Sequence, residues 1–259
     1  MADRKVIPGK FVWFELATRD AKKAQGFYGE VLGWKTAPFK LGNASYDMIL
    51  TDTSMDTMVG GYVEPQDDRQ AHWLSYVSVE DVDKAAQAAK ASGGKIIDPP
   101  SDMPTIGRRA RITDPQGAEI CLFRNLEGDS PDHEASQGQF FWNELHTPKP
   151  KEALAFYQKV VGFTHRAVDM GAEGTYYILS RDGVDRGGVI DHMPAGVPPS
   201  WLPYVYVKEV DATLARAGKL GATIVVPAED IPGIGRFGVF KDAAGGVLAV
   251  MKPNPGDRI

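Results

Sequence analysis

The sequence lacks the features that mark several classes of protein. Its 259 residues include a single cysteine, Cys121, which excludes an intramolecular disulfide and a cysteine-rich metal site. No run approaches the ~20 apolar residues that a membrane-spanning helix needs. The amino-terminal segment MADRKVIPGK is polar and has no apolar stretch typical of a signal peptide. We therefore expect a cytoplasmic protein with no membrane partner.

Positive charge is also scarce. The chain has 29 basic and 34 acidic residues, giving a net charge of −5, and no basic stripe runs through it. A nucleic-acid partner is therefore not expected, because such binding depends on clustered lysine and arginine. Apolar residues make up 43% and charged residues 24%, which is typical of a globular protein.

What the sequence does contain is a long internal repeat. The segment GKFVWFELATRDAKKAQGFYGEVLGW from Gly9 matches GQFFWNELHTPKPKEALAFYQKVVGF from Gly138, an offset of 138 − 9 = 129 residues. Between the two copies lies a stretch rich in glycine, serine, proline and acidic residues, which is typical of a linker. The sequence predicts two domains, residues 1–125 and 138–259, joined by a linker over 126–137.

Each half repeats again more faintly. Asp20 stands 13 residues before Gly33, and Asp81 stands 13 before Gly94, with helical periodicity in each interval. An acidic start and a glycine end are typical of a helix. Short apolar runs with turn residues between them follow each helix and predict strands. We therefore predict an α+β fold of four tandem βαβββ modules, over residues 9–65, 71–125, 138–195 and 199–252.

Tandem βαβββ modules with FY and LG in the first helix, and DPQGA before a last strand, resemble the vicinal oxygen chelate superfamily. That group includes glyoxalase I, bleomycin-resistance proteins and extradiol dioxygenases. The resemblance covers nearly the whole chain and is greatest to a two-domain, glyoxalase-related branch. It implies that each pair of modules forms one cup-shaped, curved mixed sheet with helices outside. It also implies that each cup holds a small-molecule ligand.

The resemblance further implies a metal position on the first and last strands of the modules. The corresponding residues here are Trp13, Leu74, Cys121, Trp142, Leu202 and Ala249. None of them offers an oxygen or imidazole ligand, whereas a divalent ion of this kind needs several. No cofactor is therefore expected, although a divalent metal on relocated ligands such as Glu144 and His146 stays an alternative.

A glutamate occurs in both copies of the first strand, FVWFEL and FFWNEL. Side chains alternate across a strand. Parity places Phe11, Trp13, Glu15 and Ala17 on one face in the first half, and Phe140, Trp142, Glu144 and His146 on one face in the second. The resemblance implies that this face lines the cup. We take Glu15, Glu144 and His146 as candidate catalytic residues and Trp13 and Trp142 as ligand-binding residues. The alternatives are structural pinning of the modules by the glutamates, a solvent-facing histidine at a strand end for His146, and core packing for the two tryptophans.

The fainter repeat aligns Glu15 with Tyr76 and Glu144 with Tyr204, since each lies five residues before the helix start. These tyrosines are candidate ligand-binding residues and candidate hydrogen-bond partners of the glutamates. Tyr46, Met48 and Tyr177 are further candidates for the cup wall, whereas parity assigns Trp73 and Trp201 to packing.

Two arginines, Arg108 and Arg236, recur in PTIGRRA and PGIGRFG. A guanidinium at the mouth of a cup suits an anionic ligand. The alternative is a structural ion pair with Asp102 in the first half and Asp230 in the second.

Three functions fit these features. The first is a metal-independent, glyoxalase-like lyase that acts on a small organic substrate. The second is a bleomycin-resistance-type protein that sequesters a small aromatic or antibiotic-like compound. The third is a lyase or dioxygenase with relocated metal ligands, which the ligand positions disfavour. The chain is expected to be a monomer or a homodimer.

We predict that neither half binds a divalent ion tightly at the superfamily's usual position, because apolar side chains stand there. Metal analysis of the protein, purified without added metal and after mild chelation, tests this. Stoichiometric zinc, nickel or iron that survives chelation would contradict it.

Overall fold

The computed structural model describes residues 5–41, 44–66, 68–171, 174–191 and 198–254. The fold is α+β, with four βαβββ modules in the predicted order. Within the described ranges, no helix is long and apolar enough to cross a membrane. A short 3-10 helix, Met55–Thr57, precedes the last strand of the first module.

The first half contains two modules. They are β1 (Phe11–Ala17), α1 (Ala21–Leu32), β2 (Lys35–Leu41), β3 (Ala44–Leu50) and β4 (Met58–Val63), then β5 (His72–Ser78), α2 (Val82–Ala91), β6 (Lys95–Met103), β7 (Gly107–Thr113) and β8 (Glu119–Asn125). The second half follows with β9 (Phe140–His146), α3 (Pro150–Val160), β10 (Thr164–Asp169), β11 (Thr175–Arg181) and β12 (Val184–Ile190), then β13 (Ser200–Tyr206), α4 (Val210–Lys219), β14 (Thr223–Ile231), β15 (Gly235–Lys241) and β16 (Val247–Pro253).

The strands form two open, curved, eight-stranded sheets of the same topology. The first has the order β2-β3-β4-β1-β5-β8-β7-β6 and the second β10-β11-β12-β9-β13-β16-β15-β14. The first strand of a module runs parallel to the last, as β1 does to β4 and β5 to β8, and the other pairs are antiparallel. Each half of the sequence therefore provides one mixed sheet.

The helix starts confirm the predicted signals. Asp20 caps α1 by accepting a hydrogen bond from the backbone N–H of Lys23, and Asp81 caps α2 in the same way. Gly33 ends α1 in the left-handed conformation, with φ 81°, which favours glycine. Helix α3 has no side-chain cap and begins instead at Pro150, whose missing N–H costs nothing at that position.

Packing divides the chain into two compact units, each made of three segments. One comprises Met1–Trp13, Leu74–Asp132 and Asn143–Trp201, and the other Phe14–Trp73, His133–Trp142 and Leu202–Ile259. Each unit therefore takes modules from both halves of the sequence. The predicted boundaries at 125 and 138 match the division between the sheets, and as domain limits they stay a prediction.

The first part of the predicted linker, residues 126–132, belongs to the first of these units. The Asp129 carboxylate, 4% exposed, accepts hydrogen bonds from the backbone N–H of Ile7 and the hydroxyl of Ser78, both at 2.6 Å. Asp132 binds both terminal nitrogens of Arg186, at 2.7 and 3.0 Å. The Arg186 guanidinium lowers the pKa of Asp132. Acidic residues of the linker thus have structural partners.

Each unit contains a buried tyrosine beside a buried aspartate. In one, the Tyr28 hydroxyl donates to Oδ2 of Asp242 at 2.8 Å. Oδ1 of Asp242 accepts hydrogen bonds from the backbone N–H groups of Ala244, Gly245 and Gly246. Burial, and secondarily the Asp242 charge, raises the pKa of Tyr28 well above 10.0.

The other unit has Tyr157 and Asp114 at the corresponding positions. Burial and the Asp114 carboxylate raise the Tyr157 pKa, and the Trp201 indole donates to the Tyr157 hydroxyl at 2.9 Å. Asp114 accepts from the backbone of Gln116 and Ala118. Burial raises its own pKa, and these hydrogen bonds oppose the rise.

Several aromatic residues pack against these tyrosines. Trp73 packs edge-on against Tyr28, and Trp201 is buried beside Tyr157, so the assignment of both tryptophans to packing is confirmed. Phe140 was expected to line a cup, but it stacks on Phe14 with ring centroids 3.9 Å apart. Phe11 likewise packs on Trp201. These first residues of β9 and β1 bury more surface against neighbouring rings than on the open face of a sheet.

We predict that Tyr28→Phe lowers the free energy of unfolding by about 1–3 kcal/mol, because it leaves Asp242 buried without its hydroxyl partner. Denaturant unfolding measures this. Tyr206→Phe, at a partly exposed tyrosine, is the matched control. Since the folded-state pKa of Tyr28 is raised, the wild-type protein should lose stability as pH rises above about 10, and Tyr28→Phe should lose less. Equal losses in the two proteins would contradict this assignment.

Candidate functional site

Glu15 of β1 is only 5% exposed, and its partner is a tyrosine that the sequence did not single out as such. The Tyr46 hydroxyl on β3 donates to Oε1 of Glu15 at 2.8 Å. Gly61 of β4 lies opposite Glu15 in the parallel register. A Cβ on Gly61 would stand 2.1 Å from the Tyr46 oxygen, so the absence of a side chain gives the phenol its position.

The second half is built in the same way around Glu144, which is 8% exposed. Gly188 of β12 lies opposite Glu144, and a Cβ there would stand 1.8 Å from the hydroxyl oxygen of Tyr176. Tyr176 thus corresponds to Tyr46. Our expectation of Tyr177 at this wall is wrong, because Tyr177 packs against the buried apolar cluster of its unit. The register of β11 differs by one residue from the expected register, so Tyr176 rather than Tyr177 lies over Gly188.

Glu144 and His146 lie close together on β9. Nε2 of His146 lies 2.8 Å from Oε1 of Glu144, with the side chains 20% and 10% exposed. A neutral imidazole that donates from Nε2 presents Nδ1 as a proton acceptor. A carboxylate that fixes an imidazole in this way is a common acid–base arrangement. The equivalent of His146 in the first half is Ala17, so only the second half has the imidazole.

Tyr76 lies in a cluster with Leu74, Cys121 and Phe123, and Trp13 packs against this cluster. The cluster is separate from the core beneath the helices, which confirms the alternation of faces along β5. Arg109 donates to the Tyr76 hydroxyl at 2.8 Å, a contact that sequence reasoning missed.

The alternation of side chains along a strand could have identified Arg109. It follows Arg108 on β7, so its side chain lies on the opposite face of the sheet. The contact of Tyr76 with Glu15 stays a prediction, as does the contact of Tyr204 with Glu144.

The corresponding surface in the second half is less polar. The Tyr204 ring stacks on Phe237, the counterpart of Arg109, with centroids 6.4 Å apart and an interplanar angle of 23°. Arg111, which pairs with Asp98 at 3.1 Å, has Val239 as its counterpart. The halves therefore share a scaffold but offer different groups to a ligand. Trp142 of β9 is buried, at 7% exposure.

For Arg108 and Arg236, the structure favours the ion-pair alternative over an anion site. Arg108 binds Asp102 at 2.7 Å and also binds Asp83 at the start of α2. Arg236 binds Asp230 at 3.1 Å and Asp211 at the start of α4. These guanidiniums lower the pKa of Asp83 and of Asp211. Each arginine thus joins a helix start to its neighbouring hairpin. The sequence predicted one carboxylate of each pair and missed the second.

The residues at the superfamily's metal position do not fit a metal. Trp13, Leu74 and Cys121 stand there in the first half, and Cys121 is the only one of the three with a metal-binding atom. Across the described ranges, no group of three or more His, Cys, Asp or Glu side chains is gathered for an ion. The alternative site of Glu144 and His146 supplies two ligands, which is fewer than the three protein ligands of a typical catalytic zinc site.

A cavity of about 360 Å³ opens beside Tyr46, at the carboxyl ends of β1 and β4. Its lining is mainly polar and includes Thr18, Arg19, Ser45, Asp47 and Glu64. Through Tyr46 the cavity borders the hydrogen bond to Glu15.

These two sheets of paired βαβββ modules, with polar groups on the strands that begin them, define a vicinal-oxygen-chelate-type protein. Residues 10–122 match the Glyoxalase/Bleomycin resistance protein/Dioxygenase superfamily model. The chain is 33% identical to "Putative glyoxylase CFP32" of Mycobacterium tuberculosis over 94% of both chains. It is 26% identical to "Anthracycline biosynthesis protein DauV" of Streptomyces sp. over 88% of both. The chain belongs to this superfamily.

The solved structures agree with the fold. The Mn(II)-bound glyoxalase from Novosphingobium aromaticivorans has a TM-score of 0.63 and 18% identity, over 96% of this chain and 82% of that one. The 2,3-dioxygenase LapB from Pseudomonas sp. KL28 has a TM-score of 0.61 and 16% identity, over 99% and 97%. At such identities, the similarity concerns the fold.

We predict that Gly61→Ala displaces Tyr46 from Glu15, because the new Cβ would overlap a rigid phenol ring. The free energy of unfolding should fall by about 1–3 kcal/mol, through the loss of a hydrogen bond to a buried carboxylate. Gly26→Ala is the matched control, since open space surrounds that position on α1. There, alanine should stabilise the helix by up to about 1 kcal/mol. Retention of full stability in Gly61→Ala would contradict the packing argument.

Proposed function

We propose that this protein is a glyoxalase-related enzyme that moves a proton within a small organic carbonyl compound and uses no metal at the superfamily's usual position. The observation that supports this most is the 2.8 Å contact between Glu144 and His146. Both side chains are largely shielded from water, and they lie on the face of β9 where the superfamily binds ligands. Relatives named as glyoxylases agree with chemistry next to a carbonyl group.

The chemistry starts from this short contact. We assign the proton of the neutral imidazole to Nε2, which faces Glu144, so that Nδ1 accepts a proton from a carbon next to the carbonyl group. The carboxylate stabilises the imidazolium that forms, and the same nitrogen then returns the proton to the former carbonyl carbon, while the proton of a hydroxyl on the first carbon moves to the former carbonyl oxygen. The proton is removed and returned, and no electrons leave the substrate. No further reactant is therefore needed.

The first half is assigned a different task. Glu15 has Tyr46 as a partner, but Ala17 stands where the second half has His146. This half therefore lacks the proposed base. We assign Glu15 to ligand binding, and Trp13 and Tyr76 are proposed separately as ligand-binding residues of their own unit.

The second candidate function is sequestration of a small aromatic compound. It is favoured by the aromatic cluster of Tyr76, Phe123 and Trp13, which gives a planar ligand a surface to stack on. The relatives named for anthracycline biosynthesis agree with ligands of that kind. A cytoplasmic location and a monomeric or homodimeric state are part of both proposals.

We predict that His146→Ala lowers kcat by about 10²–10⁴-fold on the substrate identified from a panel of small carbonyl compounds, because it removes the base. Glu144→Gln keeps the shape but removes the charge, and it should also lower kcat. His165→Ala is the matched control, since this histidine is exposed on β10, where its ring lies beside Tyr177.

Native mass spectrometry of the purified protein separates the two functions. A retained aromatic compound, with no turnover of any panel member, would favour sequestration. Unchanged kcat in His146→Ala, in a correctly folded protein, would contradict the enzymatic proposal.

A further inference from the structure

The glycine opposite Glu144 is the starting point. Gly188 has no conformational need to be glycine, since its φ lies outside the left-handed range. Glycine is needed there because a larger residue has no room. A Cβ would stand 1.8 Å from the hydroxyl oxygen and 2.3 Å from Cζ of Tyr176. The Tyr176 ring therefore lies directly over the backbone of β12, at the position paired with Glu144.

The first half shows what a tyrosine in this position does. Gly61 is opposite Glu15, the Tyr46 ring overlies Gly61, and the Tyr46 hydroxyl donates to Glu15 at 2.8 Å. In both halves the tyrosine stands two residues before the residue of the third strand that pairs with the glycine, Met48 or Ile178. The backbone framework is thus repeated.

We infer that Tyr176 is a positioning residue for the proposed reaction: its hydroxyl, admitted by Gly188, donates to the Glu144 carboxylate and orients the Glu144–His146 pair. This inference rests on the proposed function for its catalytic meaning. The hydrogen bond itself can be tested without turnover.

A further hydrogen-bond donor to Glu144 matters because its carboxylate is buried. Glu144 is 8% exposed, and Nε2 of His146 lies 2.8 Å from its Oε1. A buried ionised carboxylate needs several hydrogen bonds to offset its desolvation. A phenol that donates to Glu144 stabilises the charged form and fixes the plane of the carboxylate. It also draws electron density from the carboxylate, so His146 is held in place without binding its proton too tightly to return it.

The test compares Tyr176→Phe with Tyr177→Phe. The latter removes a hydroxyl from the adjacent residue, which packs against the apolar core on the opposite face. NMR titration of the His146 ring follows proton uptake by the pair. In Tyr176→Phe the apparent pKa of the pair should rise by about one unit, because the carboxylate loses a donor and attracts the imidazolium proton more strongly. Tyr177→Phe should leave it unchanged.

Gly188→Ala should reproduce the rise by moving the phenol away, and circular dichroism confirms that each variant is folded. An unchanged pKa in folded Tyr176→Phe would overturn the inference. If the pKa rises as expected but His146→Ala retains full turnover, the hydrogen bond stands and the proposed function fails. If both hold, kcat of Tyr176→Phe should fall by about 10-fold with KM little changed, as expected for a residue that orients the catalytic pair.

Discussion

The buried pairs of tyrosine and aspartate are the interactions on which the rest of the structure depends. Tyr28 and Asp242 are 214 residues apart in the chain, yet their side chains meet at 2.8 Å without access to water. Oδ1 of Asp242 binds three backbone N–H groups of its own turn, and the hydroxyl binds the other oxygen. Each polar atom thereby offsets part of the desolvation of the others. The tyrosine of the FY motif in a helix and the aspartate of the turn before a last strand are therefore two parts of one buried contact.

The turn that contains the buried aspartate also determines where residues of the candidate site lie. Asp114 closes the connection from β7 to β8, and β8 places Cys121 beside Tyr76 in the parallel register with β5. Arg109 on β7 then reaches the Tyr76 hydroxyl. Buried contacts on the helix-covered face of the sheet thus determine which strands pair and in which register. Residues on the other face remain free to vary in chemistry, as Arg109 and its counterpart Phe237 do.

Local patterns were enough to predict the modules, the caps at Asp20 and Asp81, and the ion pair of Arg108 with Asp102 as an alternative to an anion site. All of these depend on partners within a few residues or one hairpin. The sequence could not identify Tyr46 as the partner of Glu15, because that contact depends on the exact register of β3 against β4. It also could not show which modules pack together. An amphipathic helix specifies that a face is buried, but several modules have equally apolar faces to cover it.

The two-residue period of a strand explains where the repeated glutamate lies. In the second half, Trp142 stands at the superfamily's metal position, and Glu144 and His146 follow on the same face at steps of two residues, about 7 Å each. The polar residues thus stand further along the strand than the position of Trp142. A carboxylate there needs a partner, and the glycines opposite Glu15 and Glu144 provide room for a phenol from the third strand. The fold supplies this room by omitting a side chain, which leaves both the sheet register and the buried core unchanged.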